Sequence, residues 1–480
     1  MGRLNDVAEQ FDLVVIGGGP AGYAAALYGA GAGLKIALVE KEKVGGTCLH
    51  RGCIPAKEYL ETASVYRTVS HSKDFGVIAD QPTIEFATSQ ARKQKVVDQL
   101  WKGLQGLMKQ RKIATYIGTG RLDADGVVRV SGGEADGAEL QGTNVLLCAG
   151  SVPRTLPGFD VDGKFVMTSD EVLMLETLPS SAVVIGGGAI GCEFASALAD
   201  LGAQVTVLEF LPQILTGCDK DAADVVARSF KKRGIDVRTS VEVKGHTPTP
   251  DGKQTVVTFG ENETITADAI VMSVGRRPLT DALLGEGSKV AVDERGFVKV
   301  DPWLRTSAPN VFALGDLIAV DGVKVHPQLA HVGFIEGILV IKTILGEPAL
   351  PVDYAKVPMC IYTHPEVAYC GMTEAAAKEA GVEVAVSKHK YLGNGRAIII
   401  GETEGLVKVI AEKDANGKAG KIIGVHMAGP WVTEQLGQGY LAVNWEATVD
   451  EVSAFIQPHP SLSELFGETV LALTGRGLHG

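Results

Sequence analysis

A glycine motif that occurs twice at a constant offset most constrains what this 480-residue chain can fold into. The copies, Gly17–Gly22 and Gly186–Gly191, each follow a short apolar run and lead into an alanine-rich stretch of helical character. A second apolar run then ends in an acid, Glu40 or Glu209, and both the first glycines and the acids lie 169 residues apart. One glycine motif would be weak evidence in a chain with 59 glycines. Two copies, each between a strand and a helix, predict two Rossmann-like dinucleotide-binding domains.

The residue types in each copy match the chemistry of a dinucleotide. The first glycine makes a tight turn, the second lets the backbone approach a pyrophosphate, and the third lets helix and strand pack closely. The pyrophosphate lies at the helix N-terminus and the acid accepts ribose hydroxyls. A nucleotide-type fold with an empty site is the less favoured alternative. The predicted contacts are Gly17, Gly19, Gly22 and Glu40 in the first copy and Gly186, Gly188, Gly191 and Glu209 in the second.

The second site favours NAD over NADP. A 2′-phosphate would be repelled by the carboxylate of Glu209. No arginine follows that residue in the segment Phe210–Ile214, so nothing there would bind the extra phosphate.

A pair of cysteines, Cys48 and Cys53, follows the first copy directly. Pro55 suits the first turn of a helix, which would place Cys53 near a helix N-terminus where partial positive charge favours a thiolate. Two structural cysteines that happen to lie close together are the alternative. A thiol pair beside a nucleotide site indicates a redox pair that exchanges electrons with a cofactor.

The position of this pair distinguishes the two nucleotide sites. A disulfide directly after the first site makes that site the flavin site and the second the nicotinamide site. Glu193 in the second copy corresponds to Ala24 in the first, so the fold itself does not require an acid there. A carboxylate beside a pyrophosphate calls for a cation, and Lys57 is the preferred partner. The alternative is a glutamate that only complements the helix dipole.

Composition excludes several other classes of function. The net charge is −12 and no lysine- or arginine-rich block occurs, which argues against nucleic-acid binding. No apolar run reaches the roughly 18 residues needed to span a bilayer, so we expect no membrane association. Seven irregularly spaced cysteines do not form a secreted disulfide framework, and a cytoplasmic location is expected. We predict no metal site.

Together with these motifs, the segments CAGS, GRRP, TSAPNVFALGD, YTHPEVAYCG and HPSLSE resemble the pyridine nucleotide–disulfide oxidoreductases along nearly the whole chain. The resemblance is closest to the dihydrolipoamide dehydrogenases among them. It implies an α/β fold with FAD and NAD domains and a C-terminal α+β dimerisation domain. The implied boundaries are 1–155 for the first part of the FAD domain, 156–276 for the NAD domain, 277–350 for the second part of the FAD domain and 351–480 for dimerisation.

The resemblance also assigns site residues. It implies that FAD contacts Lys57, Gly120, Gly150, Asp316 and Ala330 in addition to the first glycine motif, and that NAD contacts Gly275 in addition to the second. Lys57 and Glu193 would lie near the reacting flavin nitrogen. The chain departs from the family at Cys148-Ala149, at His50-Arg51 and at Gln457.

His459 and Glu464 have two interpretations. Ser461–Glu464 fits a capping box, in which the glutamate reaches back to its own helix, and a histidine between prolines is often only a surface residue. The family pattern His-Pro-x-x-x-Glu instead implies that Glu464 orients the imidazole while His459 moves a proton. That pattern favours the functional interpretation, with His459 acting on the disulfide of the partner subunit in a homodimer.

These features predict an enzyme that oxidises dihydrolipoyl groups and reduces NAD through FAD and the Cys48–Cys53 disulfide. The implied partners are lipoyl domains of acyltransferase components or glycine cleavage H-type proteins. A reductase for another disulfide, or a flavin-binding docking module without activity, are the alternatives. The absence of NADP-binding arginines after Glu209 and of cysteines in Thr474–Gly480 argues against other reductases.

Overall fold

The computed structural model describes residues 8–479, which form two compact units. The first unit comprises the chain up to Glu58, then Thr88–Arg154 and Gly275–Tyr354. The second comprises Tyr59–Ala87, Thr155–Val274 and the chain from Ala355 onward. Each contains one of the two glycine motifs.

The first unit is built on a mainly parallel sheet. Five parallel strands lie in the order Ala114–Ile117, Ile36–Glu40, Glu9–Ile16, Glu139–Leu147 and Val311–Ala313. Val127–Ser131 and Thr119–Leu122 extend the sheet in antiparallel fashion. Leu13, Val14 and Val15 are fully buried, because a parallel sheet is covered on both faces.

Helices and small ribbons complete this unit. Two further strand pairs join Ser151–Pro153 to Arg276–Pro278 and Val298–Val300 to Ile318–Val320. The helices that lie in it, or begin or end in it, are Pro20–Gly31, Gly46–Arg51, Cys53–Ser70, Phe86–Gln110 and Ala330–Leu345.

The second glycine motif lies in a parallel sheet of the second unit. Its strands are ordered Asp236–Arg238, Gln204–Leu208, Ser181–Ile185, Ala269–Met272 and Val166–Met167. An antiparallel sheet of Val243–Pro248, Thr255–Phe259 and Glu263–Ala267 accompanies it. The helices of this region are Ser169–Val172, Ala189–Asp200 and Lys220–Lys232.

The C-terminal part of the second unit is an antiparallel sheet with helices. Its strands are ordered Met359–Ile361, Glu366–Gly371, Ala419–Gly429, Leu406–Lys413 and Val384–Lys390. Its α-helices are Glu374–Glu379, Gly395–Ile399, Val432–Asn444, Val449–Ser453 and Glu464–Ala472. The short 3₁₀ turns of the chain are Ser72–Phe75, Tyr354–Lys356 and Tyr391–Gly393. The predicted combination of two Rossmann-like regions with an α+β C-terminal domain is confirmed. No helix among residues 8–479 is both long and apolar enough to cross a bilayer.

A buried lysine connects the two parts of the second unit. Lys408 lies on the strand Leu406–Lys413 with 2% of its side chain exposed. Its Nζ donates to Asp219 and Asp221 at 2.8 Å each and to Glu374 at 2.6 Å. Asp219 also caps the helix Lys220–Lys232. Burial by itself would lower the pKa of Lys408, but the three carboxylates outweigh it and hold the pKa above its ordinary value.

Substituting Lys408→Met should lower the free energy of unfolding by about 3 kcal/mol, because it leaves the buried carboxylate of Asp219 without its cation. Lys388→Met is the matched control, since Lys388 pairs with Asp221 at the surface and should cost less than about 1 kcal/mol. Urea denaturation at neutral pH measures both. Burial raises the pKa of Asp219, but Lys408 and backbone donors bring it below its ordinary value. The ion-pair contribution is therefore complete above about pH 4 and is lost as pH falls through the lowered pKa. Equal losses in the two variants would contradict this role of Lys408.

Candidate functional site

The first glycine loop is held by backbone contacts that only glycine permits. Gly17 has a φ of +106°, and a β-carbon there would lie 2.3 Å from the carbonyl oxygen of Cys148. A β-carbon on Gly22 would lie 1.9 Å from the carbonyl oxygen of Gly17. At Gly19 the nearest atom to such a carbon is the α-carbon of Gly46, 4.0 Å away. The first and third glycines therefore serve packing, and the second leaves an open cradle at the start of the helix Pro20–Gly31.

The second loop repeats this geometry. Gly186 has a φ of +104°, and its β-carbon would lie 2.2 Å from the carbonyl oxygen of Ser273. A β-carbon on Gly191 would lie 2.0 Å from the carbonyl oxygen of Gly186, while one on Gly188 would meet no described atom within 4 Å. The N-cap residues Gly19 and Gly188 have no side chain that could accept a hydrogen bond from the first turn. The first N–H groups of both helices are therefore available to an anion. Both cradles fit a pyrophosphate.

The acid at the end of each second strand closes its loop. Glu40 accepts hydrogen bonds from the backbone N–H of Gly18 at 2.7 Å and of Glu42 at 3.0 Å. Glu209 accepts the equivalent bonds from Gly187 at 2.5 Å and Leu211 at 2.6 Å. A carboxylate has about four acceptor positions, so each can still accept ribose hydroxyls.

The remaining predicted cofactor residues have different surroundings. Gly150 and Gly275 have φ values of +73° and +102° and face open space. At Gly120, in contrast, a β-carbon would lie 2.9 Å from Ile16 and 3.0 Å from Val39, so packing alone explains the glycine. Ala330 begins the helix Ala330–Leu345.

Asp316 is tied to the segments CAGS and GRRP. Its carboxylate accepts a hydrogen bond of 2.6 Å from the hydroxyl of Ser151. Arg276 in turn donates to the Ser151 hydroxyl at 2.7 Å and lies 3.7 Å from the carboxylate. The sequence prediction gave no role to Ser151 or Arg276, although both lie in the segments CAGS and GRRP, which carried the signal for them.

The two cysteines form the disulfide that the sequence predicts. Cys48 lies in the short helix Gly46–Arg51, and Cys53 begins the helix Cys53–Ser70, as Pro55 in the first turn predicts. Between them, His50 contacts the carbonyl of Val44 at 3.0 Å and packs edge-on against Trp101 at 6.0 Å. These two contacts hold the His50 side chain in position, which gives it a structural role beside the disulfide.

Lys57 and Glu193 lie in different units. Lys57 is in the helix Cys53–Ser70, one turn after Cys53. Glu193 is buried in the helix Ala189–Asp200, and its carboxylate accepts a hydrogen bond of 2.9 Å from the backbone N–H of Tyr362. Their pairing stays a prediction, as does the approach of His459 to a disulfide.

His459 and Glu464 are brought together as the functional interpretation predicts. Nδ1 of His459 lies 3.0 Å from a carboxylate oxygen of Glu464, and 77% of the histidine side chain is exposed. The Ser461 hydroxyl accepts a hydrogen bond of 3.2 Å from the backbone N–H of Glu464. One of the two hydrogen bonds of a capping box is therefore present as well. Because Glu464 holds Nδ1, the other ring nitrogen, Nε2, can accept a proton from a substrate.

Asn394 supports this pair and was not found from the sequence. Its amide donates to the carbonyl of Ser461 at 2.9 Å and to Glu464 at 3.4 Å. It lies 70 residues before Glu464 in no motif, so the sequence carried no signal. A groove of about 420 Å³ lies beside His459, and its lining includes Pro460, Trp431 and Arg396.

Comparisons with known proteins agree with this geometry. Residues 11–337 match the profile of the family described as pyridine nucleotide-disulphide oxidoreductase. Residues 357–470 match the profile of its dimerisation domain, which supports a homodimer.

Relatives match over nearly the full chain. A dihydrolipoyl dehydrogenase of Bacillus subtilis is 40% identical, with 98% of this chain and 100% of the relative covered. One from Geobacillus stearothermophilus is 36% identical, with 99% of each covered.

Solved structures share the fold. LpdA of Mycobacterium tuberculosis is 25% identical with a TM-score of 0.88, covering 97% of this chain and 100% of that one. The HOCl-induced flavoprotein disulfide reductase RclA of Escherichia coli is 27% identical with a TM-score of 0.83, covering 96% and 99%. With its two glycine loops, its disulfide and these matches, the chain belongs to the pyridine nucleotide-disulphide oxidoreductase family.

Proposed function

We propose that this protein is a dihydrolipoyl dehydrogenase, which oxidises protein-bound dihydrolipoyl groups and reduces NAD to NADH. The observation that carries the proposal is the Cys48–Cys53 disulfide at a helix start, shortly after the first nucleotide-binding motif ends at Glu40. FAD and NAD are its cofactors. The full-length relatives named above carry this activity in their names, whereas the alternatives of another reductase or a docking module are not favoured.

The exchange of thiols begins with a proton transfer. His459 takes the proton of one substrate thiol on Nε2, while Glu464 holds Nδ1 and stabilises the imidazolium. The substrate thiolate attacks Cys48, which breaks the Cys48–Cys53 bond and releases Cys53 as a thiolate. The helix N-terminus at Cys53 stabilises that charge.

The second substrate thiol completes the oxidation. Its sulfur attacks the substrate sulfur of the mixed disulfide, which closes the lipoyl ring and breaks the bond to Cys48, while its proton passes to the departing Cys48 sulfur. The reduced cysteine pair would return to the disulfide by giving up two electrons and one proton, and the chemistry that a bound FAD would supply is to take these up and pass them as hydride to NAD. Gly17, Gly19, Gly22, Glu40 and Asp316 would hold the first cofactor, and the second glycine loop with Glu209 would hold the other.

The proposal extends to the source of the lipoyl groups, to the location of the protein in the cell and to its domains. The lipoyl groups would come from acyltransferase components or glycine cleavage H-type proteins. A reducing cytoplasm fits the remaining cysteines of the described chain, which are not disulfide-bonded, and cell fractionation tests it. The proposed four-part domain division is supported by unit breaks after Arg154, Val274 and Tyr354.

Substituting either cysteine tests the proposal. Cys48→Ser should leave Cys53 as a thiolate beside the flavin and give a charge-transfer absorption band, whereas Cys53→Ser should show none. Both should lose dihydrolipoamide turnover by roughly a thousandfold or more, because the exchange needs both sulfurs. Cys360→Ser, at a half-buried cysteine outside the disulfide, is the matched control and should retain activity. Normal turnover in Cys53→Ser would refute the disulfide mechanism.

The preference for NAD should depend on Glu209. Glu209→Gln combined with Phe210→Arg should move the ratio of kcat/KM values toward NADP, because it replaces a repelling charge with a cation. Phe210 suits this change since 70% of it is exposed. Steady-state kinetics with both nucleotides measure the ratio.

The equivalent change at the first site is the control for this prediction. Glu40→Gln should weaken FAD binding and leave the NAD/NADP ratio unchanged. Comparable kcat/KM values for NAD and NADP in the unmodified protein would show that Glu209 does not select the nucleotide.

A further inference from the structure

A fully buried carboxylate in the first unit gathers three donors. Glu336 lies in the helix Ala330–Leu345 and has no exposed surface. One oxygen accepts the backbone N–H of Gly315 at 2.7 Å. The other accepts the hydroxyl of Tyr354 at 2.7 Å and lies 2.6 Å from Nε2 of His326. A carboxylate can be buried in this way only when hydrogen bonds replace its hydration.

His326 gives this carboxylate its shortest contact. Its side chain is 5% exposed and its ring packs against that of Tyr354 at 5.2 Å. Since Glu336 offers only acceptor oxygens, Nε2 must carry the hydrogen. Nδ1 is buried and has no hydrogen-bond partner among the described residues. An unpaired buried nitrogen is unfavourable by about 1 to 3 kcal/mol, so the imidazole is retained here at a cost in stability.

The network joins the two chain segments that the proposed FAD site takes from this region. Gly315 precedes Asp316, while the helix of Glu336 begins at Ala330. Gln328 makes a second link, because its amide donates to the carbonyl of Asp316 at 3.2 Å. The bond from Gly315 to Glu336 therefore fixes the Asp316 turn relative to the start of the helix, and His326 fixes the carboxylate.

The charge of the Glu336 carboxylate also affects the hydroxyl of Tyr354. Burial raises the pKa of its hydroxyl, and the neighbouring carboxylate of Glu336 raises it further. The hydroxyl therefore stays protonated and donates. The Glu336 carboxylate has fixed donors on both oxygens, and loss of His326 would leave the second oxygen with Tyr354 alone.

We propose that His326 is a positioning residue of the flavin site, which acts through Glu336 to hold the Gly315–Asp316 turn against the start of the helix Ala330–Leu345. The proposal rests on the FAD site described under the proposed function. It does not require His326 to touch the cofactor.

Titration of the flavin-free full-length protein with FAD, followed by flavin fluorescence, tests this role. His326→Leu should raise the Kd for FAD about tenfold to a hundredfold, because the buried carboxylate loses a donor. His326→Gln keeps an N–H that can reach Glu336 and should stay within about threefold of the unmodified protein. His246→Leu, at a half-buried histidine in the second unit, is the matched control and should leave the Kd unchanged.

A second background separates positioning from general destabilisation. In Glu336→Gln protein, His326→Leu should change the Kd by less than about threefold, because the charge on which it acts is gone. The same loss in both backgrounds, or unchanged FAD affinity in His326→Leu, would overturn the proposal. If His326→Leu does not fold, Tyr354→Phe removes another donor to the same carboxylate, and an unaltered Kd there overturns it equally. Failure of the unmodified protein to bind FAD would instead refute the flavin site itself.

Discussion

In both glycine loops the third glycine leaves no room for a side chain beside the carbonyl oxygen of the first. A β-carbon would have to lie within about 2 Å of that oxygen at Gly22 and at Gly191, so neither position can carry a side chain. This contact sets the start of each helix against the end of its strand. It leaves the helix N–H groups pointing out of the loop, and Glu40 or Glu209 then closes the loop by accepting from its middle glycine. The site for each nucleotide arises from one steric constraint that recurs 169 residues later.

The redox chemistry depends on the two helices, Gly46–Arg51 and Cys53–Ser70, that follow the strand ending at Glu40. Cys53 begins the second of them, where the backbone favours a thiolate, and Cys48 lies in the first. No cysteine pair occupies the positions after the second loop that correspond to Cys48 and Cys53, which fits a site that only binds and releases a nicotinamide nucleotide. The proton chemistry is supplied from a third region, where Glu464 orients His459 by contact with Nδ1.

Features governed by short spacing could be predicted from the sequence. The glycine loops, the terminal acids and the helix start at Cys53 each depend on residues within a few positions or within one strand–helix–strand unit, and the structure has them as predicted. Features that depend on long connections could not. Irregular loops bring Gly315, His326 and Tyr354 into hydrogen-bond contact with Glu336. No residue pattern predicts that a carboxylate in this apolar helix is buried. Asn394 reaches Glu464 only because the C-terminal sheet and helices bring them together. At Gly120 packing against Ile16 and Val39 also requires glycine, and the cofactor role that the resemblance implies stays a prediction.

The central claim is that electrons pass from a dihydrolipoyl group to NAD through the Cys48–Cys53 pair. Its most direct test is the rate of NADH formation from dihydrolipoamide and NAD by the FAD-loaded protein, measured beside NADPH oxidation with glutathione disulfide. NADH formation that far exceeds the glutathione reaction is the expected result. Absence of NADH formation from dihydrolipoamide, with efficient reduction of glutathione disulfide by NADPH, would contradict it.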